Sequence, residues 1–122
     1  MIVDGHCDTI KKAFEENISI DDIQLGFNLT DAKLPMIQMM AIYISPEEEN
    51  EGFDVAKKII KKLDDEKDKF KNRIVQIYSS KDIEKVNNNQ VGLILATENG
   101  SVIQENLENV DKLYEAGVRM MS

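Results

Sequence analysis

Apolar positions in this chain follow two rhythms. Continuous apolar runs occur in "MIVD" (1–4), "PMIQMMAIYIS" (35–45), "RIVQIYSS" (73–80), "QVGLILATENG" (90–100) and "VRMMS" (118–122). Each is short, and the second and fourth are apolar on both alternating faces. That pattern predicts strands covered on both sides, as in a parallel sheet. Between them the rhythm changes to helical spacing. In "PEEENEGFDVAKKIIKKLDDEKDKF" (46–70), Phe53, Ala56, Ile59, Ile60, Leu63 and Phe70 fall near one face. "TIKKAFEEN" (9–17) has helix-forming composition, with Ile10 and Phe14 four apart. "SKDIEKV" (80–86) predicts a short helix, with Ser79 and Asp82 at capping-box spacing. "ENLENVDKLYEAG" (105–117) predicts another, with Leu107, Val110, Leu113 and Tyr114 on one side and Gly117 as its cap.

The stretch 18–34 is mixed, and its turn formers Asp21, Asp22, Gly26 and Asn28 predict a loop. The charges of 46–70 read as a solvated helix face, with i, i+4 pairs such as Asp54–Lys58 and Asp65–Lys69. Strands alternating with helices predict an α/β fold around a parallel sheet. There is no internal repeat and no linker, so residues 1–122 are expected to form one domain.

Composition narrows the function. Hydrophobic residues make up 42% and charged residues 31%, which is the balance of a globular protein. The net charge of −8 argues against nucleic acid and against an anionic membrane surface as partners. No apolar run reaches the length of a membrane span, and "MIVDGH" lacks a secretory signal. The single cysteine cannot form an internal disulfide, so a cytoplasmic location is expected.

In parallel α/β folds chemistry collects at the carboxyl ends of the strands. That rule singles out "VDGHCDTI" (3–10), with the only histidine and the only cysteine, and Glu98 after "GLILAT". In an extended chain side chains alternate, so His6 and Asp8 share a direction and Cys7 faces the other way. His6 and Asp8 then lie about 6–7 Å apart along the strand and can share one metal ion if the backbone turns. Imidazole and carboxylate donors suit zinc or a similar divalent ion. Glu98 could add an oxygen ligand or simply cap the turn at Asn99-Gly100. Cys7 reads as a small buried hydrophobe, and Met36, Met39, Met40, Met120 and Met121 as core filler. No Gly-rich phosphate loop or nucleophilic triad is present.

Four segments together resemble the membrane (renal-type) dipeptidase family, the M19 metallopeptidases of the amidohydrolase superfamily. "VDGHCDTI" is similar to the family's opening Asp-Gly-His-x-Asp. "MIQMMAIYI", with Gln38 and Tyr43, resembles its Gln-aromatic-x-x-Tyr strand, and "GLILATENGSVI" its strand ending in Glu-Gly-Gly. "LENVDKLYEAGVRMMS" resembles the helix and strand that follow. The resemblance implies that the chain forms the N-terminal part of a (β/α)8 TIM-type barrel with a two-zinc site at the strand ends. It implies that His6 and Asp8 bind the first metal and that Glu98 bridges both, as metal ligand and catalytic carboxylate. The implied substrate is a dipeptide, cleaved by a metal-bridging hydroxide. Cys7 has no ligand role, and Asn99 stands where the family has glycine. The family's remaining histidines, its substrate-binding arginine and its proton-transfer aspartate are expected beyond Ser122. The 122 residues alone are therefore expected to hold zinc only partially and to lack peptidase activity. They are also expected to form homo-oligomers through open sheet edges. A non-catalytic α/β module that self-associates or binds a single metal is the alternative.

Overall fold

The computed structural model describes all residues from Met1 to Ser122. Five strands form one sheet: β1 (Ile2–Asp4), β2 (Met36–Tyr43), β3 (Ile74–Gln76), β4 (Val91–Glu98) and β5 (Val118–Met121). Every pairing is parallel. Four helices intervene: α1 (Thr9–Glu15), α2 (Gly52–Lys69), α3 (Ser80–Ile83) and α4 (Glu108–Glu115). Short 3-10 turns follow β2 and β4, at Pro46–Glu51 and Gly100–Ile103. The fold is thus α/β, as the alternation of patterns requires.

The order departs from a simple progression in one respect. Strand β2 pairs along the whole of β4 on one side. On the other side β3 pairs with Val91–Leu93 and β5 with Leu95–Thr97. Strand β3 therefore shares an edge of β4 with β5 instead of lying between β2 and β4, and the barrel-like path runs β1, β2, β4, β5. Three residues are too few to occupy the full edge, which leaves the carboxyl half of β4 to β5.

Alternation sorts the two long strands into faces. Met36, Met40 and Ile42 of β2 join Val91, Leu93 and Leu95 of β4 in a core of 21 buried residues. The same core takes Ile10 and Ala13 from α1, Ile59, Ile60 and Leu63 from α2, and Leu113 from α4. On the opposite face, Ile37 packs with Ile77 and Val86 in a cluster of only three buried residues, with Ile83 and Ile94 beside it. The segment around α3 thus plugs the amino end of that face, and the carboxyl end stays open.

The long loop before β2 has no regular structure, as its turn formers predict, yet it is anchored. Ile20, Leu25 and Leu29 are buried in the main core. Glu66 corrects the expectation that the charges of α2 are all solvated. It is buried, and its carboxylate accepts from Ser19 Oγ at 2.8 Å and from Ile20 N–H at 3.2 Å. Lys62 lies 2.8 Å from its other oxygen. The expected pairs also shift: Asp54 meets Lys57, Lys61 meets Asp65, and Lys69 turns to Ser19.

Gly52 opens α2 where a Cβ would stand 2.7 Å from the Ser101 carbonyl oxygen, so only glycine lets the two turns pack this closely. Gly117 ends α4 with φ +107°, the left-handed stop expected of it, and its N–H donates to Tyr114 O. The apolar side expected for α4 is mostly uncovered. Leu113 is buried, but Leu107 precedes the helix and is exposed, and Tyr114 is exposed as well. Met120 and Met121 are also exposed, because β5 has a neighbouring strand on one side only. Of the methionines expected in the core, Met36 and Met40 are buried and Met39 is half-buried. The Ser79–Asp82 cap is present: Asp82 accepts from Ser79 N–H at 2.9 Å.

Candidate metal centre

The chain leaves β1 at Asp4, but its extended course continues. Cys7 N–H donates to Met39 O at 3.0 Å, and Ala41 N–H donates to Cys7 O at 2.9 Å. These bonds hold residues 5–8 beside β2, so alternation persists past the strand. Cys7 turns to the main core and is half-buried there. Burial pushes its thiol pKa up, against opposing hydrogen bonds from Thr9, which keeps it a neutral thiol. His6 and Asp8 point to the open face and are exposed. The Asp4 carboxylate accepts from His6 N–H at 3.1 Å and braces the turn between them.

Glu98 is the last residue of β4 and the register partner of Tyr43, the last residue of β2. Its carboxylate meets the His6–Asp8 pair. His6 Nε2 lies 3.3 Å from Asp8 Oδ1 and 3.6 Å from Glu98 Oε2. One ligand atom from each of the three residues falls within 4.8 Å of the others. This is the one group of three or more potential metal ligands in the structure. An open depression of about 330 Å³ adjoins it, lined by Asp4, His6, Cys7, Asp8, Thr9, Gly26 and Phe27.

Two observations fit this donor set to a cation. Neither Asp8 nor Glu98 has a lysine or arginine partner, so two carboxylates converge on an imidazole without a countercharge. Asp8 occupies the N-cap position of α1 but makes no side-chain cap bond. An aspartate there ordinarily accepts from the first turn of its helix; this one is directed at His6 instead. One nitrogen and two oxygens form a borderline-to-hard set suited to zinc, with room left for a further ligand.

The sequence reading missed the support beneath this cluster. Lys11, buried on α1, donates to both oxygens of Glu48 at 2.6 and 2.5 Å, and lies 3.2 Å from Glu15. Glu48 also accepts from Ser45 N–H at 3.0 Å. Burial alone would raise the Glu48 pKa, but Lys11 and Ser45 hold it below its ordinary value. The pair ties α1, and with it Asp8, to the turn after β2. Its signal was present as the Ser45-x-x-Glu48 spacing of a capping box. The burial of Lys11 had no local sign.

The sheet and its strand-end cluster place the chain in the α/β class, with a candidate metal centre where such folds carry their chemistry. Solved structures share this fold. An amidohydrolase from Pseudomonas aeruginosa superposes with a TM-score of 0.67 at 12% identity, over 99% of this chain and 33% of its own. The dipeptidase AC, a metallopeptidase of family M19, superposes with a TM-score of 0.83 at 16% identity, over 99% of this chain and 41% of its own. The chain thus spans less than half the length of either. No curated protein sequence matches it. The sequence profile of the membrane dipeptidase family, peptidase family M19, matches residues 1–122, and the chain belongs to that family. The likeness to both structures is one of fold, in keeping with the first strands and helices of a (β/α)8 barrel. No helix of the structure is long and apolar enough to cross a membrane.

Proposed function

We propose that this chain supplies one half of the metal centre of a zinc dipeptidase. The carrying observation is the convergence of His6, Asp8 and Glu98 at the strand carboxyl ends, within 4.8 Å of one another, in a chain of family M19. His6 and Asp8 would hold one zinc from the turn after β1. Glu98, from the end of β4, would face both that ion and a second one further across the barrel mouth. Bound zinc polarises a carbonyl and lowers the pKa of water toward neutrality, which is the chemistry that peptide-bond hydrolysis needs. The chain's own part is to hold the imidazole and the two carboxylates oriented and convergent. The substrate class is a dipeptide, which the family assignment supports.

With one histidine and one ligand cluster, the 122 residues offer firm ligands for a single ion. Zinc titration by calorimetry tests this reading. One site per chain is expected, lost in His6→Ala, with no hydrolysis of Ala- or Gly-containing dipeptides by the 122 residues alone. Equal binding by His6→Ala would refute the ligand assignment, and robust hydrolysis would refute the inactivity. A self-associating module is the second reading, and the open edges favour it. Ile2 and Val3 on β1 and Met120 and Met121 on β5 are exposed at opposite ends of the strand path. Sedimentation over a concentration series should show mass increasing above one chain; a constant monomer would exclude it.

A further inference from the structure

Asn99 follows Glu98 directly and has φ 71° and ψ 155°. This region of backbone space is close to glycine-only, so an asparagine here is strained and must be held. Its side-chain amide and its backbone N–H are bonded. The side-chain amide Nδ2 donates to Ile44 O at 2.5 Å, and Oδ1 accepts from Ser101 N–H at 3.0 Å. The backbone N–H donates to Ser122 O at 2.8 Å.

The placement of these bonds gives them a use. The regular pairing of β2 with β4 ends at the Tyr43–Glu98 rung. Ile44 is the next residue of β2's course, and its carbonyl is met by the side chain of Asn99. The amide therefore supplies one further rung after the backbone ladder has stopped. Meanwhile the backbone N–H of Asn99 and the carbonyl of Thr97 both bond to Ser122, on the other edge. Glu98 lies between these two attachments and is gripped from both neighbouring strands. From Ile44 the connection continues: Ser45 N–H donates to Glu48, and Glu48 to Lys11 is the ion pair that reaches α1 and Asp8. The two separate sources of the ligand cluster are thereby joined through the end of β2.

We infer that Asn99 is a positioning residue for the metal centre: its side-chain amide, at the cost of a strained backbone, fixes Glu98 relative to His6 and Asp8. The inference rests on the metal-site reading above and goes further by assigning the ligand geometry to a residue that touches no metal. Groups that orient ligands in this way typically carry about 10–100-fold in metal affinity.

Two variants separate the amide from the strain. Asn99→Gly loses the amide but adopts the same backbone freely, and Asn99→Ala loses the amide and keeps the strain. Zinc calorimetry and metal-free thermal unfolding are run on both, with wild type and His6→Ala alongside. Both Asn99 variants are expected to bind zinc about tenfold more weakly. Asn99→Gly is expected to unfold at a higher temperature than Asn99→Ala. Wild-type affinity in Asn99→Gly would overturn the inference while leaving the wild-type and His6→Ala difference, and so the site itself, intact. Failure of Asn99→Gly to fold, or unfolding of Asn99→Ala at or above its temperature, would also overturn it by removing the strain. Absence of zinc binding in wild type would bring down the site reading and this inference together.

Discussion

On the helix-covered side of the sheet, Met40, Ile42, Leu93 and Leu95 meet α1 and α2 in a core with almost no access to water. On the other side, the same two strands present Met39, Ala41 and Tyr43 against Ile94, Ala96 and Glu98; there only the two alanines are buried, Met39, Ile94 and Glu98 are half-buried, and Tyr43 is exposed. The contrast arises within single strands, from alternation alone. It separates two tasks. Apolar burial on one face fixes where the strands lie, and that placement lets the other face hold charged groups that contribute little to stability. Two glutamates show the difference at close quarters. Glu66 is buried behind the sheet with three partners and pins a loop, whereas Glu98 is half-exposed in front of it and meets only His6.

The largest effect of this division should come from the helix side. Leu63→Ala removes a fully buried side chain of α2 and should cost about 3 kcal/mol in urea unfolding. A loss under about 1 kcal/mol would show that the helix-side core does not dominate stability. Next comes Glu66→Ala, which strands the buried Ile20 N–H, removes the acceptor of Ser19 Oγ and should cost about 2 kcal/mol. Loss of protection in residues 17–30, read by hydrogen exchange, should accompany it.

Acid should act through the same carboxylate. Burial raises the Glu66 pKa, but Lys62, Ser19 and the Ile20 N–H outweigh it and leave the folded value below the ordinary 4.5. Glu48 is depressed in the same direction by Lys11 and Ser45. A group depressed by folding contributes stability above its unfolded pKa and loses it as pH falls through the folded value. Stability should therefore hold near neutrality and decline below about pH 4.5, with a shallower decline in Glu66→Gln. An unchanged acid limb in that variant would assign the decline to other groups.

Glu98→Gln should be the mildest change in stability, within about 0.5 kcal/mol of wild type. It should still lower zinc affinity by about tenfold or more, since it removes a carboxylate from the proposed ligand set. A large destabilisation would break the contrast between the two faces, because Glu98 would then be holding the fold.

Much of the architecture was legible in the residues. The buried runs of β2 and β4 announced a parallel sheet, because only strands covered on both faces tolerate apolar residues at every position. The pairing of His6 with Asp8 and the aversion of Cys7 followed from a two-residue repeat. The shared edge of β3 and β5, and the exposure of Leu107, Tyr114, Met120 and Met121, did not follow. Helical and strand patterns mark which faces are apolar, and they carry no information on what covers them. Asn99 was visible as a departure from glycine, but its bond to Ile44 spans 55 positions and has no local trace.

The sequence by itself determined the element types and the α/β class, and it singled out the three residues of the candidate cluster, because these depend on spacing along the chain and on side-chain chemistry. Tertiary structure alone decided that Glu98 stands 3.6 Å from His6, that Lys11 and Glu66 are buried, and that Asn99 keeps a backbone suited to glycine. Each of these joins residues from separate elements. The distances are set by how two strands register and how two helices pack, which no single segment specifies.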